Sequence, residues 1–134
     1  MTFWMVVSPD SEPLGLTPEQ FNAAVAERWP GQHQLLGEEP TMLSVAAIQP
    51  SDGTTPYEVS LPRSGTGLTM DGTWEQALEF AAWARAILAH FTKRLWLIDD
   101  GYSGHADVPA GASADQIAQG WIDHATHGEP TDVS

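Results

Sequence analysis

Side chains that could take part in catalysis or metal binding gather in one segment, residues 99–107. Its sequence, DDGYSGHAD, brings together Asp99, Asp100, Tyr102, His105 and Asp107. Carboxylates, imidazoles and hydroxyls serve as acids, bases, nucleophiles and metal ligands, and loops that follow buried strands often carry such groups. A hydrolase or a small-ligand-binding protein is therefore one function that this segment suggests.

The spacing within the segment departs from known catalytic and calcium motifs. A nucleophile elbow needs G-x-S-x-G running directly into a helix, whereas residues 101–104 are GYSG and a proline at position 109 precedes any helix. A calcium loop needs a glutamate at its twelfth position, which is alanine or glycine here. We therefore favour an ordinary polar turn, in which Asp100 and Gly101 bend the chain and Asp99 accepts backbone hydrogen bonds.

No other segment supplies a cofactor or metal motif. His124 and His127 lie three residues apart, but no further ligand accompanies them, so we predict adventitious metal binding at most. Residues 63–67 resemble a phosphate-binding loop but lack its lysine and the helix that should follow. The chain has no cysteine, which excludes a disulfide framework and a thiolate site. We predict no catalytic residue, no cofactor and no functional metal.

The chain is strongly acidic: it has 18 Asp and Glu residues and only five Lys and Arg residues, which gives a formal net charge of −13. Such a surface repels nucleic-acid phosphates and anionic membranes, and it favours a basic protein partner unless it serves solubility alone. From Leu95 to Ser134 there are seven acidic residues and no Lys or Arg. We therefore predict a concentrated negative field around the C-terminal third, and neither nucleic-acid nor membrane binding.

The apolar stretch at residues 2–7 has no basic flank and is too short for a signal peptide or a membrane span. We predict a β-strand there and, with no export signal, a cytoplasmic protein.

Capping boxes and apolar periodicity predict the remaining elements. The pairs Thr17 with Gln20, Thr73 with Gln76, and Ser113 with Gln116 each predict the start of a helix. The second helix should run to about residue 92, with Phe80, Ala84, Ile87 and Phe91 forming its inner stripe. Further strands are predicted at 42–49, 57–61, 68–70 and 95–98, with an exposed connection at 32–41 and a loop at 99–112.

The order β-α-β-β-β-α-β-α, with its hairpins, predicts one α+β domain over residues 1–126 and a polar tail over residues 127–134. Its sheet should be mixed or antiparallel, with the helices packed mainly on one face. The six tryptophans are spread over nearly every element, which is typical of core packing. Trp29 and Trp121 lie near helix ends, so we expect both to be partly exposed.

Size, charge and the absence of a catalytic motif lead to one favoured function. We predict a small acidic, non-enzymatic binding protein of the immunity or inhibitory type, which caps a basic protein partner; bacterial immunity proteins are comparable in class only. Its contact residues would be Asp99, Asp100, Tyr102, His105, Asp107, Trp29 and Trp121. Two alternatives remain: a hydrolase or small-ligand-binding protein that uses the segment 99–107, and an accessory domain that forms homo-oligomers.

Overall fold

The computed structural model describes residues 3–124. These residues form one eight-stranded antiparallel sheet and three α-helices. The strands are β1 (Trp4–Val7), β2 (His33–Glu39), β3 (Met42–Ile48), β4 (Tyr57–Pro62), β5 (Gly67–Met70), β6 (Trp96–Asp99), β7 (Gly104–Asp107) and β8 (Ile122–Asp123). The helices are α1 (Pro18–Arg28), α2 (Trp74–Ile87) and α3 (Ala114–Gln119). The predicted α+β class is confirmed.

The strand order across the sheet is β2-β3-β4-β5-β1-β6-β7-β8. Two runs of antiparallel strands that follow one another in sequence, β2–β5 and β6–β8, are joined by β1, which pairs with β5 on one side and β6 on the other. Val6 of β1 lies opposite Leu68 and Leu97, and all three side chains are fully buried. Because side chains alternate along a strand, this register defines which residues face the helices and which face away.

All three helices begin with the predicted capping box. In α1, the Thr17 hydroxyl oxygen accepts from the Gln20 backbone at 3.1 Å, and the Thr17 backbone N–H donates to the Gln20 side chain at 2.9 Å. The same reciprocal pair opens α2 and α3. These bonds satisfy backbone N–H groups that have no partner within the helix, which is why the helix starts were predictable.

Helix α2 ends at Ile87, about one turn earlier than predicted. The buried guanidinium of Arg85 donates to the carbonyls of Leu88 at 2.7 Å and Phe91 at 2.9 Å. An arginine fork can satisfy carbonyls that leave the helical ladder, so the chain turns here without a buried unpaired oxygen. Of the predicted inner stripe, Phe80, Ala84 and Phe91 are buried and Ile87 is half-buried, although Phe91 lies beyond the helix.

The helices pack on one face of the sheet, as expected. Ser44 of β3 donates a hydrogen bond to Asn22 of α1, and Trp4 of β1 contacts Trp74 of α2, with ring centres 5.4 Å apart. The sheet register places Ser44 and Trp4 on the same face. Helix α3 packs against α2 and β7. The opposite side, which none of the described helices covers, is called the open face below.

Two predicted connections are strands. Residues 32–41 were expected to be an exposed connection, but His33–Glu39 form the edge strand β2. Almost every side chain of β2 is exposed, so hydrophobic alternation is absent and backbone pairing with β3 alone defines the strand. The expected loop 99–112 likewise contains β7, and the two residues of β8 pair with it.

Residues 1–2 and 125–134 lie outside the described part of the chain, and with them the predicted domain boundary at 126 and the predicted tail. Between residues 3 and 124, no helix combines the length and the apolar character needed to cross a membrane.

Candidate functional site

The segment 99–107 forms the turn between β6 and β7. The Asp99 carboxylate accepts hydrogen bonds from the Ser103 backbone at 2.7 Å and from the Ser103 hydroxyl. Asp100 and Gly101 make the turn itself. Tyr102 adopts a left-handed backbone with φ of 51°, which is uncommon for a side chain of its size. The predicted polar turn, with Asp99 accepting backbone hydrogen bonds, is confirmed.

The reactive side chains of this segment do not converge. Asp99 lies opposite Trp4, on the face that packs against the helices, whereas His105 lies opposite Ile98, on the open face. Asp107 is exposed two residues beyond His105, and Asp100 is exposed at the turn. Among residues 3–124, no group of three or more His, Asp or Glu side chains could hold a metal ion. Asp99 and His105 therefore cannot contact one small ligand together, and a hydrolase or small-ligand role of the segment stays a prediction.

His105 instead forms a hydrogen-bonded pair with His124. The His124 Nδ1 lies 2.8 Å from the Tyr102 carbonyl oxygen, which only accepts, so this nitrogen carries the proton. In the neutral pair the His124 Nε2 then accepts from the His105 Nδ1, 3.0 Å away. Burial lowers the pKa of His105, and His124 lowers it further, whereas Asp107 acts in the opposite direction. This hydrogen bond links the end of β8 to β7. His127, the other histidine of the predicted pair, lies outside the described residues.

The two tryptophans predicted to be partly exposed differ in the structure. Trp29 is only 6% exposed because its indole packs 5.0 Å from the Trp83 ring and 6.4 Å from the Tyr57 ring, so that expectation was wrong. Trp121 is half-buried, but its ring lies over Gly104 and packs against neighbouring tryptophans. A role of either residue in partner binding stays a prediction.

The acidic residues of the C-terminal third do not share one face. Asp123 is in register with Gly104, on the side of the helices, and Asp115 lies in α3. Asp107 lies on the open face. Acidic residues that are close in sequence therefore do not form one acidic surface, because alternate residues of a strand point to opposite sides of the sheet.

A different set of carboxylates meets on the open face. They lie around a groove of about 450 Å³, called the acidic groove, whose lining residues are Phe3, Met5, Glu39, Met42, Glu58, Ser60, Thr69, Met70, Asp71 and Asp100. Four of these are acidic, and none of the described lining residues is Lys or Arg. The acidic residues come from four separate segments of the chain, which the strand pairings bring together.

The carboxylates of the acidic groove influence one another. Burial raises the pKa of Glu58, and the neighbouring charges of Asp71 and Glu39 raise it further. The Asp71 carboxylate is held in place because it accepts the Glu58 backbone N–H at 2.7 Å. Like charges placed together next to partly buried apolar side chains are costly unless a cation approaches them. The groove is thus suited to receive positive charge.

Sequence reasoning missed this groove, although one signal pointed to it. Along β4, the buried Tyr57, Val59 and Leu61 alternate with Glu58 and Ser60, which predicted one buried and one wet face. The partners of Glu58 could not be found in this way because they depend on which strands are neighbours.

No protein-family model matches the chain, and no curated protein or solved structure shows significant similarity to it.

Proposed function

We propose that this chain is a small, non-enzymatic binding protein that caps a basic protein partner with the open face of its sheet. The observation that carries the proposal is the acidic groove, where four carboxylates surround apolar side chains without a Lys or Arg among the described lining residues. The net charge of −13 acts in the same direction. Charge of one sign both accelerates encounter with an oppositely charged partner and selects against wrong partners.

The open face also offers apolar contact area. Phe3 is 47% exposed at the groove, and Met5 beside it is half-buried. An apolar centre with a polar margin is the usual composition of a specific protein interface, in which aromatic residues contribute much of the binding energy. The opposite face of the sheet is occupied by α1, α2 and α3, so a partner cannot reach it.

A role of the immunity or inhibitory type follows from the same features. A protein that neutralises a basic toxin or nuclease needs a complementary surface and no chemistry of its own. A cytoplasmic location stays part of this proposal. A second copy of the chain is the less suitable occupant, because it would bring the same carboxylates against Glu39 and Glu58.

The proposal is tested by charge reversal on the two sides of the molecule. One variant carries Glu39→Lys and Glu58→Lys at the acidic groove, and the matched control carries Glu27→Lys and Glu79→Lys on the exposed surfaces of α1 and α2. Both variants gain the same charge. Partners are captured from an extract of the source cells with each protein immobilised, and they are then purified.

We expect the unmodified chain to capture a basic protein. The control with the two changes on α1 and α2 (the helix variant) should still capture it, whereas the variant with the two changes at the acidic groove (the groove variant) should not. The association rate of the basic protein should fall about tenfold between about 0.05 and 0.5 M salt, because exposed charges are screened within about 10 Å at 0.1 M. Equal retention by both variants would overturn the proposal, as would an association rate that does not depend on salt.

A further inference from the structure

We infer that the acidic groove is a receptor for one arginine side chain of the partner, with the guanidinium among the carboxylates and the aliphatic stem along Met5 and Phe3. The inference rests on the proposed function and adds the chemistry of the central contact. The volume of about 450 Å³ lies within the range of small-ligand sites, roughly 300–1,000 Å³.

Ser60 supplies an observation that is independent of the acidic residues. Its side chain is only 8% exposed and lies on the open face, opposite Thr69, where it lines the groove. No fully buried side-chain N or O atom among the described residues lacks a hydrogen-bond partner, and the Ser60 hydroxyl has none, so its oxygen is accessible from the groove. A donor that enters the groove would complete the hydrogen bonding of this hydroxyl.

The arrangement of the carboxylates favours arginine over lysine. Glu39 lies in the edge strand β2 and Glu58 in β4, whereas Asp71 and Asp100 come directly after β5 and β6. Acceptors that arrive from several segments suit a planar group with five N–H donors better than a compact ammonium with three. A guanidinium can bond more than one carboxylate and the Ser60 hydroxyl together.

The raised pKa of Glu58 supports a cation as the occupant. Its cause is burial together with two like charges, Asp71 and Glu39. A guanidinium placed among these groups would reverse the sign of the local field and favour the ionised carboxylates. The apolar lining adds to this preference, because Met5 can pack on the stem and the exposed ring of Phe3 can accept a cation–π contact.

The test is an NMR titration of the isotope-labelled full chain with three small probes. N-acetyl-argininamide carries the proposed group, N-acetyl-lysinamide carries the same charge without the fork, and N-acetyl-citrullinamide has the shape of arginine without charge. We expect the arginine probe to shift the signals of Met5, Glu58 and Ser60 with a Kd on the order of 1 mM, as suits a ligand of this size. The lysine probe should bind at least about threefold more weakly, and citrulline should cause no comparable shift.

Two variants with the same change of charge locate the site. Glu58→Gln should weaken the arginine probe about fivefold, whereas Glu79→Gln on α2 should leave its Kd unchanged. Glu58→Gln should not lower the urea midpoint at neutral pH, because it removes a carboxylate whose charge the fold disfavours. Lost binding therefore cannot be ascribed to unfolding.

Three results would each overturn the inference: equal binding of arginine and lysine, binding of citrulline as strong as that of arginine, or an unchanged Kd in Glu58→Gln. None of them would by itself remove the proposed function, which the capture experiment decides. If the groove variant still loses its partner while arginine shows no preference, the open face binds a partner by another contact. If capture is insensitive to both variants, the proposed function fails whatever the small probes do.

Discussion

The packing of Trp121 on Gly104 gives the sharpest prediction of stability. A methyl group at position 104 would lie 2.5 Å from two ring carbons of Trp121 and 2.7 Å from its indole nitrogen, closer than such atoms approach in proteins. The ring has little room to move away, because it packs 5.2 Å from the Trp74 ring and 6.1 Å from the Trp4 ring. Gly104→Ala should therefore displace the indole or shift β7.

The expected cost follows from two opposing effects. Overpacking of a well-packed site costs about 1–3 kcal/mol, and each aromatic pair lost adds about 0.5–1.5 kcal/mol. Replacing glycine restricts the unfolded chain, which stabilises the protein by about 0.4–1 kcal/mol where the backbone allows alanine. We expect Gly104→Ala to lower the free energy of unfolding by about 2 kcal/mol.

Gly101→Ala in the same turn is the matched control, since a methyl group there meets no atom within 4 Å. Urea unfolding followed by tryptophan fluorescence measures both variants. Combining Gly104→Ala with Trp121→Ala should cost clearly less than the two single changes added together, because removing the indole removes the clash. The reasoning is refuted if the two glycine variants unfold at the same urea concentration, or if the double variant is additive.

Two further predictions concern the buried ionisable side chains Arg85 and His105. Arg85→Met should lower the free energy of unfolding by about 2–4 kcal/mol, since it removes two hydrogen bonds of a buried guanidinium and leaves the Phe91 carbonyl without its donor, although the Leu88 carbonyl keeps the Phe91 N–H. Arg94→Met, at an exposed ion pair, should cost less than about 1 kcal/mol in the same urea experiment. His105 should titrate below its ordinary value of 6.5 by NMR. Because its pKa is lowered in the folded state, the stability it confers is present above pH 6.5 and is lost as the pH falls through the folded pKa. The urea midpoint should therefore decrease on acidification, and His105→Gln should remove that part of the decrease; a His105 midpoint at or above 6.5 would contradict this account.

Local signals in the sequence predicted the helix starts and most of the strands. Each capping box depends on two residues three positions apart, so it can be recognised without knowledge of the fold. Strands with a buried face, such as β4, carry their alternation in the sequence. Both kinds of signal are complete within a few residues.

Features that depend on contacts outside the repeating hydrophobic pattern were missed or misplaced. The end of α2 depends on the bonds from the Arg85 side chain to Leu88 and Phe91, which periodicity does not reveal. Strand β2 is defined by its backbone pairing with β3, because its own side chains are exposed. Trp29 was expected near solvent because it ends a helix, yet Trp83 and Tyr57 close around it.

The candidate site shows the same limit. The segment 99–107 concentrated reactive groups in sequence, and the strand register then placed Asp99 and His105 on opposite faces. The acidic groove assembles Glu39, Glu58 and Asp71 from different strands, and only the order of the sheet brings them together. A strand order can be constrained by hydrophobic patterning but is not determined by it.

The central position of β1 has a consequence for the kinetics of folding. The strand groups β2–β5 and β6–β8 each pair segments that follow one another in sequence and can form as local units, but they join only when β1 inserts between them. That step pairs Val7 with Gly67 and Trp4 with Asp99, so it closes two very long loops at once. Contacts of such sequence separation slow folding, and until they form, the edges of β5 and β6 stay open to pairing with other chains. During synthesis on a ribosome, β1 must therefore remain unpaired on one side until residue 99 has emerged.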